Sequence, residues 1–169
     1  MNTTFVALGS NLGDPEAQLR LAVSALSELH ESRLADCSAV YRSAAVGPGE
    51  QPDYLNAVLR LETSLDPLSL LDALQAIETR QGRERDIRWG ARTLDLDLIL
   101  YGRETVASER LTLPHPRFAE RNFVLYPLRD VAGDKWVLPD GRELGTLVSL
   151  CPQGDLERTA IALGPAAPA

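Results

Sequence analysis

The sequence predicts an α+β fold of the ferredoxin-like kind: a βαββαβ core whose antiparallel sheet carries packed helices. Three observations predict it. Residues 54–63 alternate, with Leu55, Ala57, Leu59 and Leu61 on one face and Tyr54, Asn56, Arg60 and Glu62 on the other. Asp14-Pro15 and Asp66-Pro67 each set a capping carboxylate before a proline at the first helical position, and apolar residues at helical spacing follow. The run Thr93-Leu94-Asp95-Leu96-Asp97-Leu98-Ile99-Leu100-Tyr101 reads as a central strand.

Taken in order, residues 5–8 form a short apolar strand that enters the loop Gly9-Ser10-Asn11-Leu12-Gly13. Leu19, Ala22, Val23, Leu26 and Leu29 give the first helix its apolar stripe. Residues 34–41 alternate weakly as a second strand, and residues 46–53, with two glycines and two prolines, form a loop. In the third strand, 54–63, Val58 is an apolar exception on the polar face. Leu70, Leu71, Leu74 and Ile77 mark a second helix ending near Gly82, and helices are expected on one face of the sheet. Beyond Gly102 the expected elements are a short strand at 104–106, a Pro-His-Pro loop, a helix at 123–131, a strand edge at 136–138 and a last helix at 144–150. A single domain is expected over 1–152, with 153–169 as a flexible tail.

Composition narrows the function. The chain has 169 residues, 44% hydrophobic and 24% charged, as in a globular protein with a core of its own. Cys37 and Cys151 lack the spacing of a metal knuckle and suit a reducing compartment. No leader-like segment opens the sequence and no apolar stretch is long enough for a bilayer, so a cytoplasmic location is expected. A net charge of −7 argues against broad binding to nucleic acid or to an anionic membrane. Yet 16 of the 17 basic residues are arginine, and Arg80, Arg83, Arg85, Arg88 and Arg92 crowd one stretch whose local charge is +3.

That stretch runs into Asp95 and Asp97. Side chains two apart on a strand share a face, so the two carboxylates stand side by side with Thr93 and Ile99, opposite Leu94, Leu96, Leu98 and Leu100. Such a pair needs cationic compensation. Spacing alone leaves two readings level: salt bridges to Arg88 and Arg92, or a Mg²⁺ ion that completes its shell with water and phosphate oxygens. The arginines favour the metal, because a metal with arginine forks is what a polyphosphate requires. A phosphate-binding G-x-x-x-x-G-K-[ST] loop is absent. His115, held between Pro114 and Pro116 with Arg110 and Arg121 near in sequence, suits a phosphate contact or an acid. Tyr54, Trp89 and Phe123 are three of only nine aromatic residues and sit near the charged motifs, as a stacking platform for a flat heterocycle would. Asn56 shares a face with Tyr54, and its amide can pair with a donor–acceptor edge.

Together, Gly47-Pro48-x-x-Gln51-Pro52-Asp53-Tyr54-Leu55-Asn56-Ala57, Gly82-Arg83-x-Arg85, Arg88-Trp89-Gly90-x-Arg92-Thr93-Leu94-Asp95-Leu96-Asp97, Pro114-His115-Pro116-Arg117, Arg121 and Phe123 resemble the 6-hydroxymethyl-7,8-dihydropterin pyrophosphokinases of folate biosynthesis. The likeness runs in order from Leu8 to about Asp130. It implies transfer of the β,γ-pyrophosphoryl group of ATP to the pterin hydroxymethyl oxygen, with AMP released. It implies two Mg²⁺ ions bridged by Asp95 and Asp97, with Asp95 close to the acceptor hydroxyl. Arg83 and Arg92 would close over the triphosphate, helped by Arg121 and His115. Glu78, Arg85, Trp89, Leu98, Arg110 and Thr112 would lie around ATP. The pterin would lie between Tyr54 and Phe123, near Trp89 and Asp95, with Asn56 and the backbone of Ser43, Ala44 and Val46 reading its polar edge. A monomer is expected from the resemblance. Ser43-Ala44-Ala45 stands where such proteins carry Thr-Pro-Pro, and Ala91 where proline is common, which bears on affinity rather than reaction type. Two other readings remain: a Mg²⁺/ATP transferase acting on a different small alcohol, and a binding module that holds a nucleotide without turnover.

Overall fold

The computed structural model describes residues 1–11, 13–44, 52–81 and 94–163. The elements are β1 (Asn2–Ser10), α1 (Pro15–Ser27), β2 (Ser32–Cys37), β3 (Ala39–Ser43), β4 (Tyr54–Thr63), α2 (Pro67–Arg80), β5 (Asp95–Tyr101), β6 (Val106–Ala107), β7 (Thr112–Leu113), a 3₁₀ turn (Phe118–Glu120), α3 (Asn122–Ala132), α4 (Leu144–Leu150) and β8 (Glu157–Ala162). The main sheet runs β5-β1-β4-β3-β8, with β2 also paired to β4. Every pairing in it is antiparallel, as the βαββαβ order requires.

Both helix starts form as their sequences dictate. The Asp14 carboxylate accepts from the Ala17 N–H at 3.1 Å, and the Asp66 carboxylate from the Ser69 N–H at 3.3 Å. The stripes Leu19, Ala22, Val23, Leu26 on α1 and Leu70, Leu74, Ile77 on α2 face Val6, Leu8, Leu59, Leu61, Leu96 and Leu98 of the sheet.

The expectation of helices on one face gives way to three layers. Phe5, Ala7, Val58 and Ile99 point away from α1 and α2 into a second core with Val124, Leu125 and Leu128 of α3 and Leu144, Leu147 and Val148 of α4. This explains Val58, which is fully buried beneath that layer. A strand covered on both faces has no polar side to show, which is why β1 reads as a continuous apolar run rather than an alternating one.

Register slips redirect side chains, and the first lies within β2, between Leu34 and Asp36. Cys37 lies opposite Leu59 but Tyr41 opposite Asn56, so one extra residue enters between β2 and β3, and the strand expected over 34–41 is two. Ser38 occupies the break: its N–H donates to the Val58 carbonyl at 2.9 Å and its hydroxyl accepts from the Val58 N–H at 2.9 Å. The slip turns Tyr41 toward α3 and Val40 toward the first core. On β5, Phe5 pairs with Leu100 and Val6 with Leu98, so Ile99 is extra. Leu100 therefore joins Ile99 in the second core instead of continuing the face of Leu94, Leu96 and Leu98.

Residues 153–169 are not all tail. Glu157–Ala162 forms β8 along the edge of β3, where Thr159 Oγ1 donates to the Val40 carbonyl at 2.8 Å and Leu156 and Leu163 are buried at either end. Its alternation is shallow because its outer face stays in solvent, so its sequence lacks an apolar rhythm.

Candidate active site

One end of the sheet gathers the candidate residues. Cross-strand partners share a face, and the register sets Asp95, Gly9, Asn56 and Tyr41 in one row and Asp97, Ala7 and Val58 in the next. From Val58 onward α3 and α4 seal this face. On its other side the face opens into a cavity of about 280 Å³. Ala7, Gly9, Asn56, Asp95 and Asp97 line its floor, Ser43, Ala44 and Tyr54 one wall, and Arg121, Phe123 and Val124 the other.

The groups around it are fixed in orientation. Asn56 is buried, and its amide nitrogen donates to the Tyr41 carbonyl at 3.3 Å and to Ser43 Oγ at 2.8 Å. This leaves Oδ1 turned toward Gly9, 3.5 Å from where a β-carbon on that glycine would stand. Burial, and then the negative charge of Asp95, raise the pKa of the Tyr54 hydroxyl, which stays protonated. The Arg121 guanidinium lies over the Phe123 ring, 5.8 Å from its centre, so a cation and an aromatic face sit together at the N-terminal end of α3.

A second cavity, of about 260 Å³, is lined by Asp97 and Leu98 of β5, Arg110 and Thr112 of the β6–β7 hairpin, His115, and Leu71 of α2. Asp97 borders both cavities. The extra residue on β5 also places the histidine: the carbonyl of Ile99 accepts the His115 N–H at 3.0 Å. His115 Nδ1 accepts from the Arg117 N–H at 3.2 Å, which in the neutral ring assigns the proton to Nε2. Burial lowers the pKa of His115 against the opposing pull of Asp97, and Arg121 and Arg117 lower it further. Arg110 donates to Asp72 Oδ1 at 2.6 Å and Gln75 Oε1 at 3.2 Å, which ties the hairpin to α2.

Of the expected ATP contacts, Glu78 lies in neither lining. It is buried on α2 and accepts the Leu96 N–H at 2.8 Å, completing the outer edge of β5. Val46, Arg83, Arg85, Trp89 and Arg92 lie outside the described residues, as do Arg88, Ala45 and Ala91. Sequence reasoning missed Ala7, Gly9 and Leu71. Glycine inside a strand marks a close approach by a ligand or another backbone, and Gly9 carries that signal.

Among the described residues no group of three or more His, Cys, Asp or Glu side chains could hold a metal ion. Two carboxylates on an open cavity still suit Mg²⁺, which takes one or two carboxylates and keeps water and phosphate oxygens as its other ligands. No described helix is long and apolar enough to cross a membrane.

The sequence model described as 7,8-dihydro-6-hydroxymethylpterin-pyrophosphokinase (HPPK) matches residues 5–133. The chain is 51% identical over 154 residues to the 2-amino-4-hydroxy-6-hydroxymethyldihydropteridine pyrophosphokinase of Pseudomonas aeruginosa, covering 91% of this chain and 94% of that protein. It is 51% identical over 148 residues to the Haemophilus influenzae protein of the same name, covering 88% and 92%. Among solved structures, an HPPK-DHPS protein in complex with substrates superposes with a TM-score of 0.70 at 12% identity, covering 88% of this chain. The wild-type HPPK-DHPS of Plasmodium falciparum with SDX-DHP does so at 0.68 and 13%, covering 89%. This chain spans 43% of the length of each of those two, and at such identities the likeness shows the shared fold alone. The match to most of the chain and the identity to full-length relatives give one conclusion: the chain belongs to the 7,8-dihydro-6-hydroxymethylpterin-pyrophosphokinase family.

Proposed function

We propose that this chain transfers the pyrophosphoryl group of ATP to 6-hydroxymethyl-7,8-dihydropterin, giving AMP and the pterin diphosphate, with the acceptor in the first cavity and the nucleotide in the second. The activity is the one its family is named for. The observation that carries the assignment of sides is Asp97, which borders both cavities where donor and acceptor must meet.

In this reading the pterin lies between Tyr54 and Phe123, with Asn56 Oδ1 and the Ser43–Ala44 backbone against its polar edge. Asp95 and Asp97 hold Mg²⁺, two ions by the family resemblance, which supplies charge neutralisation to the triphosphate when bound. Asp95 is the carboxylate placed toward the acceptor hydroxyl. His115 offers Nε2–H to a phosphate oxygen, and Arg121 offers its guanidinium across the junction of the cavities. Leu98, Arg110 and Thr112 serve the adenine and ribose end, and Glu78 supports β5 behind it. Arg83, Arg85, Trp89 and Arg92 complete the triphosphate side. Pyrophosphoryl transfer asks little covalent chemistry of a protein. It asks for alignment and neutralisation, which paired carboxylates, an immobilised amide and arginine forks supply. A cytoplasmic monomer is the state in which we expect it to act.

Incubation with ATP, Mg²⁺ and 6-hydroxymethyl-7,8-dihydropterin, with the nucleotide products resolved, tests the reading. AMP formed in step with pterin diphosphate supports it; ADP, or no turnover, overturns it.

A further inference from the structure

Resting on that reading, we propose that the hydrogen bond between Tyr41 and Asp130 sets the width of the acceptor cavity, making these two positioning residues for the pterin. Tyr41 is a buried aromatic on β3 whose hydroxyl donates to Asp130 Oδ2 at 2.9 Å. The same carboxylate accepts the Ala39 N–H at 3.3 Å, and its other oxygen lies 3.8 Å from Arg158 of β8. Asp130 thus joins α3 to β3 at two points and engages the edge strand beyond.

Helical and strand periodicities carry the tie to the cavity. Asp130 stands seven residues after Phe123 on α3, so the two share a helix face about two turns apart, some ~10 Å along the axis. Tyr41 stands two residues before Ser43 on β3, so these share a strand face. Phe123 and Ser43 line opposite walls of the cavity. The tie therefore holds α3 against β3 beside the two walls.

Tyr41 also acts along its own backbone. Its carbonyl and Ser43 Oγ are the two acceptors of the Asn56 amide nitrogen, so a shift of β3 would turn the Asn56 Oδ1 that faces Gly9. The arrangement depends on the extra residue between β2 and β3. Without that slip Tyr41 would face the first core, and Asp130 would have no hydroxyl to meet.

A tyrosine hydrogen bond that only stabilises the fold would lower the melting temperature and leave substrate affinities alone. The test is therefore kinetic. Tyr41→Phe keeps the ring and removes one hydroxyl; Asp130→Asn keeps the shape and weakens the acceptor. For each, kcat and the KM of both substrates are measured, with pterin affinity followed by its fluorescence in the absence of turnover. We expect the pterin KM and Kd of Tyr41→Phe to rise about fivefold, the equivalent of one ordinary hydrogen bond, with kcat and the ATP KM within about twofold of wild type. The double variant should be no worse than the poorer single one, since both remove the same tie. A fall in melting temperature with an unchanged pterin KM would overturn the proposal, as would equal rises in both KM values. If wild-type protein forms no AMP, the functional reading fails and takes this one with it. If it forms AMP and Tyr41→Phe keeps the wild-type pterin KM, only the tie is refuted.

Discussion

Gly9→Ala should make the protein more stable and a poorer enzyme, and the two effects have separate physical sources. Gly9 pairs with both Asn56 and Asp95 in the middle of the sheet. A β-carbon there would meet Asn56 Oδ1 at 3.5 Å, and the Leu55 carbonyl and Tyr54 Cδ1 at 4.0 Å, all ordinary van der Waals contacts. The free protein therefore accepts the methyl without strain, and restricting the unfolded chain stabilises it by about 0.5–1 kcal/mol. In a domain of this size that raises Tm by roughly 1–4 °C. Bound substrate meets a different situation. The methyl rises from the floor of a cavity of about 280 Å³, beside the carbonyl oxygen that faces the ring edge. Forcing a flat ring against an added methyl costs about 1–3 kcal/mol, the range for overpacking, which corresponds to a rise in pterin KM of roughly 5- to 150-fold. ATP, on the far side of Asp97, should keep its KM. Thermal unfolding and steady-state kinetics on one preparation decide it. A variant with wild-type pterin KM would remove Gly9 from the floor of the acceptor site, and a variant with a lowered Tm would refute the contact geometry.

Three further outcomes follow from the same geometry. Asp97→Asn should lower kcat by about 100-fold or more, while its Tm stays level or rises because two carboxylates on one strand face no longer repel; near-wild-type turnover would refute its place between the cavities. The lowered pKa of His115 means that the unfolded chain takes up a proton more readily than the folded one. Stability is then full above the unfolded value near 6.5 and is lost as pH falls below it toward the lowered folded value, so His115→Gln should lose less Tm than wild type between pH 7 and pH 5 in thermal scans. Val58→Asp should place an unpaired carboxylate between the sheet and α3, costing about 3–5 kcal/mol and lowering Tm by roughly 6–20 °C; a Tm within a degree or two of wild type would mean that this face of β4 is not sealed.

The parts of the fold that local chemistry decides were legible in the sequence. Asp14-Pro15 and Asp66-Pro67 specify helix starts within four residues of chain, and both form. Residues 54–63 alternate over a length that only a strand explains, and β4 covers them. The cavity residues Tyr54, Asn56, Asp95 and Asp97 followed from that alternation, because period two puts them on one sheet face once the strands are antiparallel. Phe123, Arg121 and His115 were found by residue type and resemblance. Nothing in their own spacing says that α3 would bring the first two to the cavity, or that a loop would bring the third near Asp97.

Two of the misreadings, the single strand over 34–41 and the unbroken leucine face of β5, share one cause. A bulge changes the face of every later residue by inserting one position, and its location is settled by what the partner strand and the covering helices accept. Residues 34–41 look like one weak strand because one residue is inserted between Leu34 and Asp36 and another at Ser38, so that Leu34, Cys37 and Val40 all face the first core at a spacing of three. Leu100 looks like the next member of a leucine face because nothing local marks Ile99 as extra. The slips at Ser38 and Ile99 have consequences at the site: the first turns the Tyr41 hydroxyl to Asp130, the second turns the Ile99 carbonyl to the His115 N–H. Val58 is the residue that could have exposed the error in advance. A valine on the polar face of an otherwise regular strand is costly unless something covers it, and a cover over Val58 but not over Asn56, two residues earlier on the same face, is what leaves a cavity at that end of the sheet. The boundary between sealed and open sheet, and hence the position of the acceptor site, is thus written in the change from Asn56 to Val58.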